Sequence, residues 1–355
     1  MVVGFVGLGL IGGSIAKTFK KKHPDMHIMA YDEDQLTLLL AKQEGIIDQF
    51  VEEMTDYAPC DLVFLCVPVD MILPYAAALL DIVASHCILT DVGSTKVHIL
   101  EGLADKDVHG QFIGGHPMAG SEKSGYEAST DFLLDNAFYL LTPTDRTGAD
   151  NLATLKQLVL DLGALPIIVD AGAHDQATAK ISHLPHVLAS ALVLNALHTG
   201  QKELCQTIAA GGFKDITRIA SSSPDMWEAI SFANKDCLVE EIDQLVLFLD
   251  RFKEHLAEED HEAVFAYFDV AKELRDSLPN TRAKSYVHAY EVNLDVVDEP
   301  GIIARIATLL CDNGINIKNI GIKNNREHEA GILQILFYDE DSQLACEALL
   351  ANHTW

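Results

Sequence analysis

The segment Gly7-Leu8-Gly9-Leu10-Ile11-Gly12 constrains the fold more than any other, because it joins the apolar run Val2–Val6 to a helix-period segment, and Asp32 ends the next apolar run. Glycines at these spacings permit a tight strand-to-helix turn, close approach of backbone N–H groups to a pyrophosphate, and close packing of helix on sheet. The helix N-terminus attracts the anion, and a carboxylate about 20 residues on accepts hydrogen bonds from a ribose diol. Gly7, Leu8, Gly9, Leu10, Ile11, Gly12 and Asp32 are the expected dinucleotide contacts. Asp32 would repel a 2′-phosphate, which favours NAD over NADP.

The rest of the first half repeats the same alternation. Runs at Val2–Val6, His27–Tyr31, Leu62–Leu65, 87–90, 112–113, 138–141 and 165–169 are separated by helix-period segments, which predicts a parallel, doubly wound α/β sheet of the Rossmann type over 1–170. Beyond Ala171 the strand signals stop. Apolar spacing of i, i+3, i+4 over 175–198, 202–220, 227–233 and 238–256, broken at Gly211-Gly212 and Ser221-Ser222-Ser223-Pro224, reads as an all-helical domain over 171–280. Asp276-Ser277-Leu278-Pro279-Asn280-Thr281-Arg282 reads as a linker. From 285 to 355 the order is strand, helix, strand, strand, helix, a small α+β ferredoxin-like unit whose final strand is short or absent.

Composition narrows the partners. A formal charge of −28 repels phosphate backbones and anionic lipid, so neither nucleic acid nor membrane is an expected partner. An anionic substrate would need Lys or Arg placed locally against that field. The seven cysteines are scattered without a C-x-x-C pair, which argues against a disulfide framework or structural zinc. No leader precedes Val2 and no apolar run is long enough to span a bilayer, so a cytoplasmic location is expected, with no further catalytic domain ahead of the first strand.

Several segments carry chemistry. Val67 and Pro68 follow one buried run and Asp91-Val92-Gly93-Ser94-Thr95-Lys96 follows another, both at carboxyl ends of strands, where open α/β sheets bind ligands. In Gly114-Gly115-His116-Pro117-Met118-Ala119-Gly120-Ser121-Glu122-Lys123-Ser124-Gly125 a histidine stands among glycines beside hydroxyls and charges, as in a loop presenting a base to a ligand. Neutral His116 would take the proton of an alcohol as hydride leaves the same carbon. Ser182 and His186 lie four apart on one expected helix, as do Lys214 and Arg218, whose cations suit a dicarboxylate.

These motifs in this order resemble the prephenate dehydrogenase family over nearly the whole chain, through the segments 7–12, 91–96 and 114–125, then Ser182-His183-Leu184-Pro185-His186 and 211–220. The resemblance implies NAD-dependent oxidative decarboxylation of prephenate, with His116 as base and Ser94 orienting either it or the substrate hydroxyl. Arg218 would hold a carboxylate, with Ser121, Ser182, His186 and Lys214 completing the polar wall. Long apolar helical segments such as 238–256 carry more apolar surface than one subunit covers, so a homodimer is expected, with Trp227 and Asp215 near the subunit boundary. The C-terminal unit resembles an ACT module in which Asp298, Glu299, Pro300 and Gly301 would receive a small amino acid, L-tyrosine by this reading. The rivals are an arogenate dehydrogenase using the same residues, a β-hydroxyacid dehydrogenase, and a catalytically silent amino-acid sensor.

Overall fold

The computed structural model describes residues 1–120, 123–198, 200–278, 290–296, 301–323, 331–337 and 339–350. The chain forms two compact units, Met1–Leu278 and Pro279–Trp355. The first unit opens with β1 (Val2–Val6), α1 (Leu10–Lys22), β2 (His27–Tyr31), α2 (Gln35–Gln43) and β3 (Gln49–Phe50). It continues through β4 (Leu62–Leu65), α3 (Val69–Leu79), β5 (Ile88–Asp91), α4 (Val97–Leu103), β6 (Phe112–Pro117), β7 (Phe138–Thr142), α5 (Ala149–Asp161) and β8 (Leu165–Ile168). The eight strands lie in the order β3-β2-β1-β4-β5-β6-β7-β8, so the chain reverses direction across the sheet between β1 and β4.

Burial on both faces explains why these runs are almost wholly apolar. Val3 and Phe5 of β1 pack with Phe64 on one side, whereas Val6 packs with Val63 and Leu65 on the other. Phe5 stacks on Phe64 at 5.3 Å between ring centroids, and Phe19 of α1 closes over the same ring at 5.9 Å. Each such fully buried ring is worth about 1.5–3 kcal/mol.

The sheet is not wholly parallel, as the alternation had predicted: β7 runs antiparallel to β6, with His116 opposite Leu140, and β8 is parallel to β7. The physical reason lies in the connection. A parallel neighbour needs a crossover, usually a helix, but 118–137 among its described residues holds only a short 3₁₀ turn at Tyr126–Ala128. That link lies over α1: Thr130 N–H donates to Ser14 Oγ at 3.0 Å and Lys17 sits 4.2 Å from the Tyr126 ring centre. β3 is a further strand that the apolar runs did not signal, its two residues being half-buried or exposed.

Helices follow: α6 (Ala171–Thr178), a π-helical turn at Ala179–His183, α7 (Leu184–His198), α8 (Lys202–Ile208) and α9 (Gly211–Thr217). A 3₁₀ turn at Arg218–Ser221 leads to α10 (Pro224–Ala233), α11 (Lys235–Ala257) and α12 (His261–Ser277). The π turn has a cause in Pro185, which lacks the N–H that an α-helix would use there and crowds the carbonyl four residues back. Ile230 of α10 is buried in the same apolar cluster as Ile72 and Ile99 of the sheet-covering helices, which ties the helical region to the sheet.

The second unit comprises β9 (Tyr290–Val296), α13 (Ile302–Asp312), β10 (Asn319–Lys323), β11 (Gly331–Phe337) and α14 (Glu340–Leu350). Its three strands pair antiparallel in the order β10-β11-β9 over a core of Ile302, Ile306, Leu310, Leu333 and Ile335. Asp298, Glu299 and Pro300 lie outside the described residues, as do residues 351–355, where a final strand was sought. Gly301 takes φ +90° at the start of α13, a conformation that favours glycine.

Candidate active site

The dinucleotide turn follows from its glycines. A Cβ on Gly7 would stand 2.5 Å from the carbonyl oxygen of Cys66, and one on Gly12 would stand 2.4 Å from that of Gly7, so only glycine allows β1, α1 and β4 to meet so closely. Gly9 differs: nothing lies within 4 Å of the corresponding position, which leaves an open cradle. Leu10 and Ile11 begin α1, whose first turn holds no acidic residue and whose Gly9 cap offers no side-chain hydrogen bond. Its N–H groups are thereby left to an anion. Asp32 accepts from Leu8 N–H at 2.7 Å, which fixes the carboxylate at the edge of the cradle. Val67 is half-buried and Pro68 exposed just before α3, on the far side of the β1/β4 reversal. The residues present fit a dinucleotide.

His116 is not on a glycine-rich loop, as its sequence setting had implied, but within β6. The glycines before it serve packing. A Cβ on Gly114 would meet Thr142 Oγ1 at 2.2 Å and Lys96 Cδ at 2.8 Å, and one on Gly115 would meet the Asp91 carbonyl at 2.5 Å. That space is filled by an ion pair of Lys96 with Asp91, both side chains wholly buried. Burial pulls the Lys96 ammonium below its usual range, with Asp91 and Asp175 opposing. Asp91 also accepts from Gly115 N–H at 3.0 Å and Gly93 N–H at 2.8 Å. The charges of the 91–96 segment therefore brace the carboxyl ends of β5 and β6 against each other.

His116 is held on its Nδ1 side by a residue that sequence reasoning did not single out: His174 Nε2 lies 2.9 Å away. His174 Nδ1 lies 2.7 Å from Asp175 Oδ1, and the same carboxylate accepts from the N–H groups of Lys96 at 2.8 Å and Val97 at 2.9 Å. Burial, reinforced by His174, Lys96 and His183, keeps His116 well below the ordinary histidine pKa of 6.5. Ser94 is half-buried in the turn between β5 and α4; among the described residues it makes no hydrogen bond to His116. The available signal for His174 and Asp175 was an adjacent histidine and aspartate just inside a helix start, an unusual pair to bury.

A row of rings continues from there toward Arg218. His183 is buried, and Asn234 Nδ2 bridges it, 3.2 Å from its Nδ1 and 2.8 Å from the Asp175 carbonyl. Burial pushes His183 down to about 4. His186 stacks on Trp227 at 3.7 Å, and the Arg218 turn packs against α7 beside it. Burial also lowers the His186 pKa, the Ile219 carbonyl opposing.

Two sequence expectations need correction here. Ser182 and His186 do not share an uninterrupted α-helical face, since Ser182 sits in the π turn that Pro185 enforces and His186 in α7. Lys214 lies on α9 but Arg218 opens the following 3₁₀ turn, so their spacing of four is not that of one continuous helix. Both cations are exposed. Trp227 packs within the protomer, on His186 and His183. Ser121 lies outside the described residues.

Comparison with known proteins identifies the family. Residues 15–168 match the family model of the prephenate dehydrogenase nucleotide-binding domain, and residues 170–270 match that of the prephenate dehydrogenase dimerization domain. The chain belongs to the prephenate dehydrogenase family. The prephenate dehydrogenase of Bacillus subtilis (strain 168) is 39% identical over 346 residues, covering 96% of this chain and 93% of that protein. A solved structure of prephenate dehydrogenase from A. aeolicus, in complex with hydroxyphenyl propionate and NAD+, matches 78% of this chain and 97% of its own, with a TM-score of 0.73 and 34% identity. Synechocystis arogenate dehydrogenase covers 78% and 99%, with a TM-score of 0.70 and 29% identity. In this family frame the first unit combines the nucleotide-binding sheet with the helical region, and His116 stands where the two meet.

Proposed function

We propose that the protein oxidises prephenate to 4-hydroxyphenylpyruvate with release of carbon dioxide, using NAD. The observation that carries this reading is His116: a neutral imidazole at the carboxyl edge of the sheet, held through Nδ1 and leaving Nε2 for a ligand. The open cradle at Gly9, the α1 N-terminus and Asp32 would hold the dinucleotide. NAD, when bound, accepts the hydride.

His116 Nε2 takes the C4 hydroxyl proton of the substrate as the C4–H electron pair departs, giving a carbonyl at C4. Loss of the C1 carboxylate as carbon dioxide sends its electron pair into the ring, which becomes aromatic, and the phenolate oxygen recovers the proton from His116. Ser94 would orient the hydroxyl rather than the imidazole, since His174 occupies that role. Arg218 would hold one substrate carboxylate bidentately, and Ser121, Ser182, His186 and Lys214 would line the rest of the wall. Local cations matter because the whole chain carries −28.

The βαββα order of the second unit supports an ACT-like module that takes L-tyrosine at residues 298–301 as a feedback effector. Exposed apolar residues on the helical region support a homodimer, and the reading places the protein in the cytoplasm. NADH absorbance with prephenate and with arogenate, each with and without L-tyrosine, tests all of this except location and assembly. The expected result is NADH formation from prephenate, weaker formation from arogenate, and inhibition by tyrosine. Turnover of arogenate alone would make the protein an arogenate dehydrogenase, and no NADH from either would leave a sensor.

A further inference from the structure

We propose that His174 and Asp175 are positioning residues that fix the proton of His116 on Nδ1, so that Nε2 presents a lone pair to the substrate; this rests on the reading of His116 as the base. The order of protons follows from the far end of the chain. A carboxylate only accepts, and Asp175 already accepts two backbone N–H groups from the start of α4. Its contact with His174 Nδ1 at 2.7 Å therefore carries the proton on the histidine. The His174 proton being spent there, Nε2 is an acceptor, and the 2.9 Å contact with His116 Nδ1 carries the proton of His116. His116 Nε2 is left bare.

The opposite order needs an imidazolium at His174 donating in both directions. That cation would be buried with the Lys96 ammonium, beside His98, His183 and His116, and of the two carboxylates described in the cluster, Asp91 and Asp175, the first is already paired with Lys96. The geometry of the first order is also held from three sides. His174 is 0% exposed and Asp175 1%. Thr178 Oγ1 donates to the His174 carbonyl at 3.0 Å, Asn234 Nδ2 donates to that of Asp175, and α4 clamps the Asp175 carboxylate. When His116 takes a proton on Nε2, the positive ring already donates toward His174, whose own proton points at Asp175. The charge is thus stabilised through two hydrogen bonds without Asp175 touching the base.

Histidine ring nitrogen spectra of the 15N-histidine-labelled full chain test the idea directly. The wild-type protein should show His116 as the Nδ1–H form. In His174→Leu that form should be lost, with kcat for prephenate falling about 10²-fold and both KM values within roughly threefold. His174→Gln, whose amide oxygen can accept from His116 Nδ1, should recover most of the rate. A wild-type spectrum with the proton on Nε2 would overturn the proposal without any variant. So would a His174→Leu protein that keeps the wild-type form of His116 and a kcat within about twofold. Failure of the base reading itself looks different: His116→Asn would then retain its kcat whatever the spectrum shows.

Discussion

At His116 the balance of forces decides when the residue works. Burial is the largest influence and the neighbouring His174, Lys96 and His183 add to it, all disfavouring the imidazolium. The neutral imidazole, proposed as the base, therefore persists as pH falls through 6.5 and is lost only further down. The acid limb of kcat/KM should lie below pH 6.5, and a limb centred at or above that value would show that His116 is not the titrating base. Arg218 answers to a different quantity. If it clamps a substrate carboxylate, Arg218→Ala should raise KM for prephenate by about tenfold or more, because the anion loses its charge-assisted hydrogen bonds. A change in kcat alone would exclude that role. The sequence made His116 legible but misassigned its glycines: Gly114 and Gly115 give room to Lys96 and Asp91, a pair whose burial no local pattern reveals.

The turn between β1 and α1 was legible because each of its glycines has a local geometric reason, and those reasons reappear as close approaches to Cys66 and Gly7. Gly12→Ala should force the turn open, raising KM for NAD more than tenfold while leaving KM for prephenate within a few-fold; equal effects on both would mean the substitution acts on the whole sheet. The antiparallel turn of β7 was not legible, because strand direction depends on a connection that pins itself over α1 through Thr130, Ser129 and Tyr126. Nor was the π turn read from Pro185, although the missing N–H was visible in the sequence. It separates Ser182 from His186 and leaves His183, rather than either of them, in the buried position.

In the whole molecule, the helical region leaves apolar residues uncovered. Val246, Leu247, Phe248 and Leu249 of α11 are consecutive and all exposed, as are Phe265 and Phe268 of α12, so more than one face of α11 lacks a partner within the protomer. In the proposed homodimer a second copy of the chain would cover them. Sedimentation velocity should give a dimer for the wild type and a monomer for Phe248→Asp combined with Phe268→Asp, whereas a monomeric wild type would contradict it. Assembly of this kind is legible in a sequence only as an excess of apolar helix surface. Whether prephenate is oxidised with His116 as the base is decided by kcat for prephenate in His116→Asn, measured beside the wild type by NADH absorbance. The expected result is a fall of roughly 10²- to 10⁴-fold with KM little changed; a near-normal kcat would exclude His116 as the base.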